Sequence, residues 1–239
     1  MIGISNVSFA YPGQKPALSN LTFHGEEGRT IGLVGANGSG KSTLLTLLAG
    51  LFTPSAGTIQ IGPYSSPGQE KKIRALTGLV LQEADLQILG LTVGEDLGLA
   101  LANTNSEADA KCREMARRFS LDHLWDQPVE TLSWGQKRRL CLAAVLVKQP
   151  TVLLLDEPFI GLDYYGVAEM RTALLNNKKL GLTQIIATHN LEPVADLVDQ
   201  WMVLYQGEMT LTGDSGTVFG RLKEFAVKPP CSCSGGYAV

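Results

Sequence analysis

Residues 30–48 read TIGLVGANGSGKSTLLTLL. The first five, Thr30–Val34, have the apolar character of a strand, and the residues from about Lys41 to Leu48 have the pattern of a helix. Between them, residues 35–42 fit the pattern GxxxxGK[ST] and Thr43 follows, and the strand before and the helix after separate this motif from an ordinary glycine-rich turn. The stretch therefore predicts a phosphate-binding loop in an α/β protein.

The residue types in this loop match what a polyphosphate needs. Glycines let backbone N–H groups surround the anion, and the helix N-terminus adds about half a positive charge. Lys41 is expected to reach the β- and γ-phosphates, and Ser42 is expected to place its hydroxyl on Mg²⁺. The residues predicted to bind the nucleotide here are Gly35, Ala36, Asn37, Gly38, Ser39, Gly40, Lys41, Ser42 and Thr43.

A second motif, VLLLDEP at residues 152–158, places two carboxylates after an aliphatic strand. The carboxyl end of such a strand is where α/β sheets bind ligands. Asp156 is predicted to be the acid associated with Mg²⁺, which leaves Glu157 free to polarise a water molecule aimed at the γ-phosphorus.

Strand and helix patterns alternate along the chain, which predicts a mostly parallel sheet. Further strands are predicted at Gly78–Leu81, Gln184–Ala187, Trp201–Tyr205 and Met209–Leu211, the last two as a hairpin. A small antiparallel β layer is predicted from Ile2–Phe9, Ala17–Phe23 and Gly57–Ile61. The predicted fold class is α/β, a P-loop NTPase (RecA-like) core with this β layer and an inserted helical lobe.

The helical lobe is predicted from two helical patterns, one from Ser106 to Phe119 and one from about Ser133 to Lys148. A single domain of residues 1–239 is expected. Its parts are a nucleotide-binding core at 1–82 and 150–215, a helical lobe at 83–149 and a C-terminal tail at 216–239.

Charge and hydropathy restrict the function classes. Lys and Arg number 20 and Asp and Glu 23, a formal net charge of −3, which disfavours broad nucleic-acid binding. No run approaches the roughly 20 apolar residues of a membrane span, and the N-terminus lacks a signal-peptide layout. We therefore expect a cytosolic protein that needs a membrane partner for any role in transport.

The four cysteines divide into two pairs. Cys112 and Cys141 lie in helical patterns and are predicted to be small core or half-buried residues. Cys231 and Cys233 form a C-x-C near the end of the chain, either two thiols in a loose tail or part of a soft-metal site. Two ligands do not complete a tetrahedral metal site.

Residues 132–136, LSWGQ, lie about a hundred residues after the phosphate loop and just before the acidic strand. They resemble the LSGGQ signature of the ABC (ATP-binding-cassette) family, in which two nucleotide-binding domains pack head to tail. The resemblance implies that Ser133, Gly135 and Gln136 contact the γ-phosphate held by the other subunit. Trp134 departs from the usual Gly, and we expect it to alter packing at the dimer contact without abolishing binding.

Other motifs of that family follow in order. The resemblance implies that Tyr11 stacks on adenine, that Gln82 senses Mg²⁺ and water, and that His189 contacts the γ-phosphate. It also implies that Gly161–Asp163 crosses the dimer; Phe159 stands where a small hydroxyl residue is common. An ordinary turn aromatic at Tyr11 and a structural histidine at His189 are the alternatives. The implied catalytic residues are Lys41, Gln82, Glu157 and His189, and the implied metal ligands are Ser42, Gln82 and Asp156.

A narrower resemblance involves residues 82–89, 92–96 and 135–139. These resemble the ATPase subunits of energy-coupling-factor importers, which take up vitamins and transition-metal ions such as cobalt and nickel. In that case Asp85–Gln87 line the groove that receives a helix of the transmembrane coupling protein. For Lys137–Arg139, a solvated basic cluster that supports the helix is the alternative.

The resemblance implies ATP and Mg²⁺ as ligands and a second nucleotide-binding subunit, either identical or a paralogue. It also implies a transmembrane coupling protein, a substrate-capture membrane protein and a place on the cytoplasmic face of the membrane. The alternatives are another ABC importer or exporter class, an ABC protein acting on DNA or the ribosome, and a nucleotide sensor or metal-binding adaptor. The transported substrate is not expected to be readable from this subunit.

Overall fold

Two β-sheets organise residues 1–101 and 105–231, which are the residues that the computed structural model describes. The strands are β1 (Ile2–Ala10), β2 (Pro16–Gly25), β3 (Thr30–Val34), β4 (Ala56–Ile61), β5 (Tyr64–Ser66), β6 (Thr77–Val80), β7 (Val152–Asp156), β8 (Thr183–Thr188), β9 (Gln200–Tyr205) and β10 (Glu208–Gly213). The α-helices are α1 (Lys41–Leu48), α2 (Glu70–Leu76), α3 (Val93–Ala100), α4 (Ser106–Arg118), α5 (Trp134–Leu146), α6 (Tyr164–Lys179) and α7 (Ser215–Val218).

The larger sheet is mostly parallel and has the strand order β10-β9-β3-β8-β7-β6. Its pairs from β9 to β6 are parallel, and β10 closes one edge as the antiparallel half of a hairpin with β9. The smaller sheet is antiparallel, with the order β2-β1-β4-β5. The predicted α/β class, with a mostly parallel sheet and a small antiparallel layer, is confirmed.

The carboxyl ends of the parallel strands meet at one edge of the larger sheet. Val34 at the end of β3 lies beside Thr188 of β8, and Asp156 at the end of β7 lies beside Ala187. The loops that follow β3, β6, β7 and β8 therefore converge at this edge, where open α/β sheets bind their ligands.

The larger sheet is covered on both faces, which explains why β3, β7 and β8 are buried at every residue. Alternate residues of β7 belong to different hydrophobic clusters. Leu154 packs with α1 and the antiparallel layer, and Leu155 packs with the helices between β6 and β7. At Gly32 of β3 an added Cβ would lie 2.4 Å from the ring of Trp201, so this position needs a glycine.

The helices α3, α4 and α5 lie between β6 and β7, and α4 and α5 are the two that the helical patterns predict. Asn105 caps α4, because its side chain accepts from the N–H of Ala108. Leu140 of α5 and Leu155 of β7 belong to one hydrophobic cluster, so the apolar core is continuous from these helices to the sheet. The division of the chain into a core, a lobe and a tail stays a prediction.

The sequence patterns missed α2, α3, α6, α7 and β5. α6 buries only Met170, Leu174 and Asn177 fully along its 16 residues, which leaves too narrow an apolar stripe for periodicity to show. Its start does carry a signal, since the side chain of Asp163 accepts from the N–H of Gly166. The predicted elements are present with ends that shift by one or two residues.

Part of the predicted C-terminal tail packs against the sheet. α7 is followed by a 3₁₀ turn at Phe219–Phe225, and Val218 and Leu222 are buried. The Phe219 ring lies 5.3 Å from that of Trp201. Cys112 and Cys141 are buried, as expected. Cys231 is exposed, and Cys233 lies outside the described residues, which hold no group of three His, Cys, Asp or Glu side chains arranged for a metal.

Candidate active site

The phosphate loop joins β3 to α1 and has glycines at two positions with positive φ angles. Gly38 and Gly40 have φ values of 78° and 104°, which disfavour residues with a side chain. An added Cβ at Gly40 would lie 2.6 Å from Leu18. No side chain among residues 1–101 and 105–231 caps the first turn of α1, so its N–H groups are available to an anion.

A cavity of about 560 Å³ opens beside this loop. It brings together the phosphate loop, Gln82 after β6, and Asp156 and Glu157 at the end of β7. Its lining residues are Pro16, Ala17, Asn37, Gly38, Gly40, Lys41, Ser42, Thr43, Gln82, Asp156, Glu157, Gln206 and Gly207. Gln206 and Gly207 form the β9–β10 turn, which the sequence motifs did not assign to the site. The signal for them is topological, since β9 neighbours β3.

Lys41 lies folded back into the loop. Its ammonium donates to the carbonyl oxygens of Gly35 at 2.8 Å and Ala36 at 3.3 Å, and the side chain is 6% exposed. Burial lowers the pKa of Lys41, while the nearby carboxylates of Glu157 and Asp156 act in the opposite direction. These contacts hold a cation at the position where phosphate oxygens are expected.

Glu157 is fixed by the end of β8. One carboxylate oxygen accepts from the Thr188 hydroxyl at 3.0 Å. The other accepts from the backbone N–H of His189 at 3.0 Å and lies 2.8 Å from His189 Nδ1. Glu157 is 5% exposed and has φ 47°, which is uncommon for a residue with a side chain. The structure thus places the predicted residues Glu157 and His189 in contact, and adds Thr188 to them.

Asp156 has an unusual electrostatic environment. Its Oδ1 atom is buried and has no hydrogen-bond partner among the described residues. Burial raises the pKa of Asp156, and a hydrogen bond from the Ser42 side chain opposes this rise. An unpaired buried carboxylate oxygen next to a hydroxyl is a donor set that suits a hard divalent cation.

Tyr11 lies next to the cavity. Its hydroxyl shares a 3.2 Å hydrogen bond with the side chain of Thr43. Its ring meets Phe9 and Phe52 edge to face, with centroids 5.0 Å and 5.7 Å away. The structure therefore places Tyr11 beside the phosphate loop and reveals Phe52, which the motifs did not indicate, as its neighbour.

The signature residues form the start of α5. The Ser133 hydroxyl oxygen accepts from the N–H of Gln136 at 3.3 Å, and the Gln136 side chain accepts from the N–H of Ser133 at 2.7 Å. This is a capping box, and it explains the Ser-x-x-Gln spacing. Ser133, Gly135 and Gln136 do not line the cavity of their own chain.

The sequence model of the ABC transporter family matches residues 18–160, more than half of the chain. The chain belongs to the ABC transporter family. The phosphate loop that borders the cavity lies within the matched residues. The predictions that the chain binds ATP and couples its hydrolysis to transport are confirmed at the level of the family.

Relatives of this ABC ATPase are named as ATP-binding proteins of transporters. The cobalt import ATP-binding protein CbiO of Rhodobacter capsulatus is 35% identical over 233 residues, covering 94% of this chain and 83% of that protein. The energy-coupling factor transporter ATP-binding protein EcfA3 of Clostridium perfringens is 34% identical over 229 residues, covering 92% of this chain and 80% of that protein.

Two solved structures share its fold. The cbiO1 protein of Clostridium perfringens, part of the ABC transporter complex cbiONQ, superposes with a TM-score of 0.82 at 33% identity, covering 93% of this chain and 92% of that one. A dimeric post-hydrolysis structure of the cassette MJ0796 with ADP and phosphate superposes at 0.80 with 26% identity, covering 90% and 98%. The predicted family is confirmed.

In this ABC ATPase the signature Trp134 has a partner within its own chain. Its indole N–H donates to the carbonyl oxygen of Ile160 at 3.1 Å. At Gly161, which has φ 75°, an added Cβ would lie 2.5 Å from the same nitrogen. Trp134 thus rests on the 160–161 segment, which no sequence pattern indicated.

The basic residues of α5 are not a solvated cluster. Arg138 is 1% exposed, so the alternative interpretation of Lys137–Arg139 is wrong for this residue. The face of α5 that carries Arg138 is packed against the rest of the protein, and Arg138 donates to the carbonyl oxygen of Leu81 at 2.7 Å. Lys137 bonds to Asp85 at 2.6 Å. Both contacts tie α5 to the segment around Gln82.

Proposed function

We propose that this chain is the ATP-hydrolysing subunit of an energy-coupling-factor type importer of transition-metal ions or vitamins. The observation that carries the proposal is the apolar surface beside Gln82. Leu86, Leu89 and Leu91 are 70%, 79% and 76% exposed in the segment that directly follows this cavity residue. Exposed leucines in one short segment are typical of a docking surface. The relatives named for cobalt import and for energy-coupling factor transport support the class.

The reaction proposed at the cavity is transfer of the γ-phosphoryl group of ATP to water. The water oxygen forms a bond to the γ-phosphorus, the bond to the β–γ bridging oxygen breaks, and the water proton passes to the Glu157 carboxylate. Lys41 and the N–H groups of the phosphate loop neutralise the charge on the transferring group. Gln82 and His189 are proposed to orient the water and the γ-phosphate.

The residues at the cavity fit a Mg²⁺ ion. Asp156 offers its unpaired oxygen, Ser42 a hydroxyl and Gln82 an amide oxygen, a set of oxygen ligands of the kind that Mg²⁺ uses beside phosphates. The bound ion would neutralise charge on the phosphates. The adenine is proposed to stack on Tyr11.

A second nucleotide-binding subunit, identical or a paralogue, is proposed to complete the site. Ser133, Gly135 and Gln136 lie at the start of α5, outside their own chain's cavity, with the positive end of the helix behind them. A head-to-tail dimer would place them against the γ-phosphate of the other subunit. The dimeric structure of the related cassette MJ0796 supports this arrangement.

The membrane components are proposed to be a transmembrane coupling protein and a substrate-capture protein, with this subunit on the cytoplasmic face. The coupling protein would dock at Asp85–Gln87 and the leucines beside them. Gln87 itself is engaged internally, since its side chain accepts from the N–H of Leu81 at 2.9 Å, so Leu86 is the exposed apolar member. None of the helices among residues 1–101 and 105–231 has the length and apolar character to cross a membrane.

Copurification from detergent-solubilised membranes tests this proposal. Leu86→Asp combined with Leu89→Asp should lose the membrane partner but keep ATP binding, because neither residue lines the cavity. Leu180→Asp is the matched control, since Leu180 is 74% exposed at the far end of α6 and should keep the partner. Capture of nucleic acid in place of a membrane protein would contradict the proposal.

A further inference from the structure

Gln82 and Glu157, the two cavity residues proposed to act on the water, both adjoin segments that contact helix α5 outside the cavity. Gln82 and Glu157 follow the neighbouring strands β6 and β7 and line one cavity. In-line attack requires their relative placement to be exact, because a misplacement of about 1 Å can cost about 10²-fold in rate. The contacts that set this placement lie outside the cavity.

Trp134 of α5 contacts the turn that follows Glu157. Glu157 and Ile160 form a turn in which the N–H of Ile160 donates to the carbonyl oxygen of Glu157 at 3.2 Å. The carbonyl oxygen of Ile160 accepts in turn from the Trp134 indole N–H at 3.1 Å. Trp134 also fills the space above Gly161, where a side chain would not fit. The turn that carries Glu157 is thus fastened to the first turn of α5.

Arg138 of α5 contacts the segment that carries Gln82. Its guanidinium donates from Nη1 to the carbonyl oxygen of Leu81, the residue bonded to Gln82, at 2.7 Å. Arg138 is 1% exposed, and its Nε and Nη2 atoms are buried without a hydrogen-bond partner among the described residues. A buried guanidinium with unused donors is costly, so the one hydrogen bond that Arg138 makes among the described residues, to Leu81, suggests a role beyond stability.

Trp134 and Arg138 are four residues apart, one above the other on α5. The guanidinium carbon of Arg138 lies 5.5 Å from the centre of the Trp134 ring, within the range of a cation–π contact. The two side chains therefore connect the turn after Glu157 to Leu81, the residue before Gln82, through an unbroken series of contacts.

We propose that Trp134 and Arg138 are positioning residues for ATP hydrolysis, which together fix Glu157 and Gln82 relative to each other. The inference rests on the proposed roles of Glu157 and Gln82. It assigns a role in the chain's own active site to the residue that departs from the family signature. Neither side chain lines the cavity, so both act through the backbone of the segments that they hold.

The test is a double-mutant cycle on steady-state ATP hydrolysis with Trp134→Phe and Arg138→Gln. Trp134→Phe keeps an aromatic ring and removes the hydrogen bond to Ile160, and Arg138→Gln removes the charge. Each should lower kcat about tenfold and leave the KM for ATP within about twofold, since binding contacts are untouched. The double variant should be no slower than the slower single variant, because the two residues act as one unit.

Arg138→Lys should recover part of kcat, since it keeps the charge and a donor for Leu81. Arg139→Gln is the matched control and should behave as wild type, because Arg139 bonds to Glu169 rather than to Leu81. If Arg138→Gln fails to fold, Trp134→Phe alone tests whether the contact with the turn after Glu157 affects kcat. Unchanged kcat in Trp134→Phe, a change in KM alone, or single effects that multiply in the double variant would overturn the inference.

Glu157→Gln, measured in parallel, separates this inference from the proposed function. If Glu157→Gln loses turnover while Trp134→Phe and Arg138→Gln keep it, the inference fails and the function stands. If Glu157→Gln itself keeps full turnover, the proposed role of Glu157 fails, and the positioning role that depends on it fails too.

Discussion

The ammonium group of Lys41 lies 3.7 Å from the carboxylate of Glu157, and both side chains are only 6% exposed. The cation that should bind phosphate therefore faces the carboxylate that should take the proton of water. An incoming γ-phosphate would compete with Glu157 for Lys41 and would weaken this ion pair as it binds. This ion pair would link nucleotide binding to activation of the proposed base.

Glu157→Gln should bind ATP at least as tightly as wild type and lose most turnover. The amide removes a negative charge that repels the phosphates and competes for Lys41, but it accepts no proton. Loss of a general base typically lowers the rate by about 10²–10⁴-fold. Binding by equilibrium dialysis and phosphate release under saturating ATP measure the two effects. Glu130→Gln, at an exposed site, is the control, and near-normal hydrolysis by Glu157→Gln would refute the role.

Asp156→Asn should remove the increase in ATP affinity that Mg²⁺ produces. Burial raises the pKa of Asp156, so its carboxylate is protonated at a higher pH than an ordinary aspartate as the pH falls. The Mg²⁺-dependent part of ATP affinity should therefore decline with falling pH in wild type and be absent in the variant. Titrations of ATP with and without Mg²⁺ at several pH values test this. An equal Mg²⁺ effect in wild type and Asp156→Asn would exclude Asp156 as a ligand.

Glu70 should stabilise the fold in a pH-dependent way. Hydrogen bonds from the backbone N–H groups of Glu70 and Gly68 and from the Ser66 hydroxyl hold the pKa of Glu70 at about 2, below its ordinary value of 4.5. A lowered carboxyl pKa contributes stability above the unfolded-state value, and this contribution is lost as the pH falls from 4.5 towards 2. Glu70→Gln should therefore be destabilised by about 1–2 kcal/mol at pH 7 and progressively less below pH 4.

Urea denaturation from pH 7 down to pH 3 measures this difference, with Glu130→Gln as the control. A Glu70→Gln penalty that stays constant over this range would show that the carboxylate charge contributes nothing.

The sequence predicted the parts of the site that local patterns encode. The apolar run of β3, the glycine spacing before Lys41 and the acidic end of β7 each have a physical cause within a few residues. The capping box explains Ser133 and Gln136 in the same way. Their convergence also followed from the parallel sheet, which places the ends of β3, β7 and β8 at one edge.

The sequence did not predict contacts that depend on tertiary packing. Trp134 meets Ile160, which is 26 residues away, and Arg138 reaches Leu81, which is 57 residues away. A basic residue in a KRR run is usually solvated, and its burial at Arg138 depends on how α5 packs. α6 was missed because its buried stripe is narrow. Gln206 and Gly207 belong to the site only because β9 neighbours β3.

Each ATP is proposed to be held between the phosphate loop of one subunit and Ser133 of another. Mixing two inactive variants tests it directly. Lys41→Ala removes the cradle cation, and Ser133→Asp keeps the cap of α5 but places a carboxylate against the γ-phosphate. If the chains form identical pairs, each variant alone should be nearly inactive, and a 1:1 mixture should recover about a quarter of wild-type turnover, because about half of the dimers contain one intact site. No recovery in the mixture, or full activity of Ser133→Asp alone, would contradict the account.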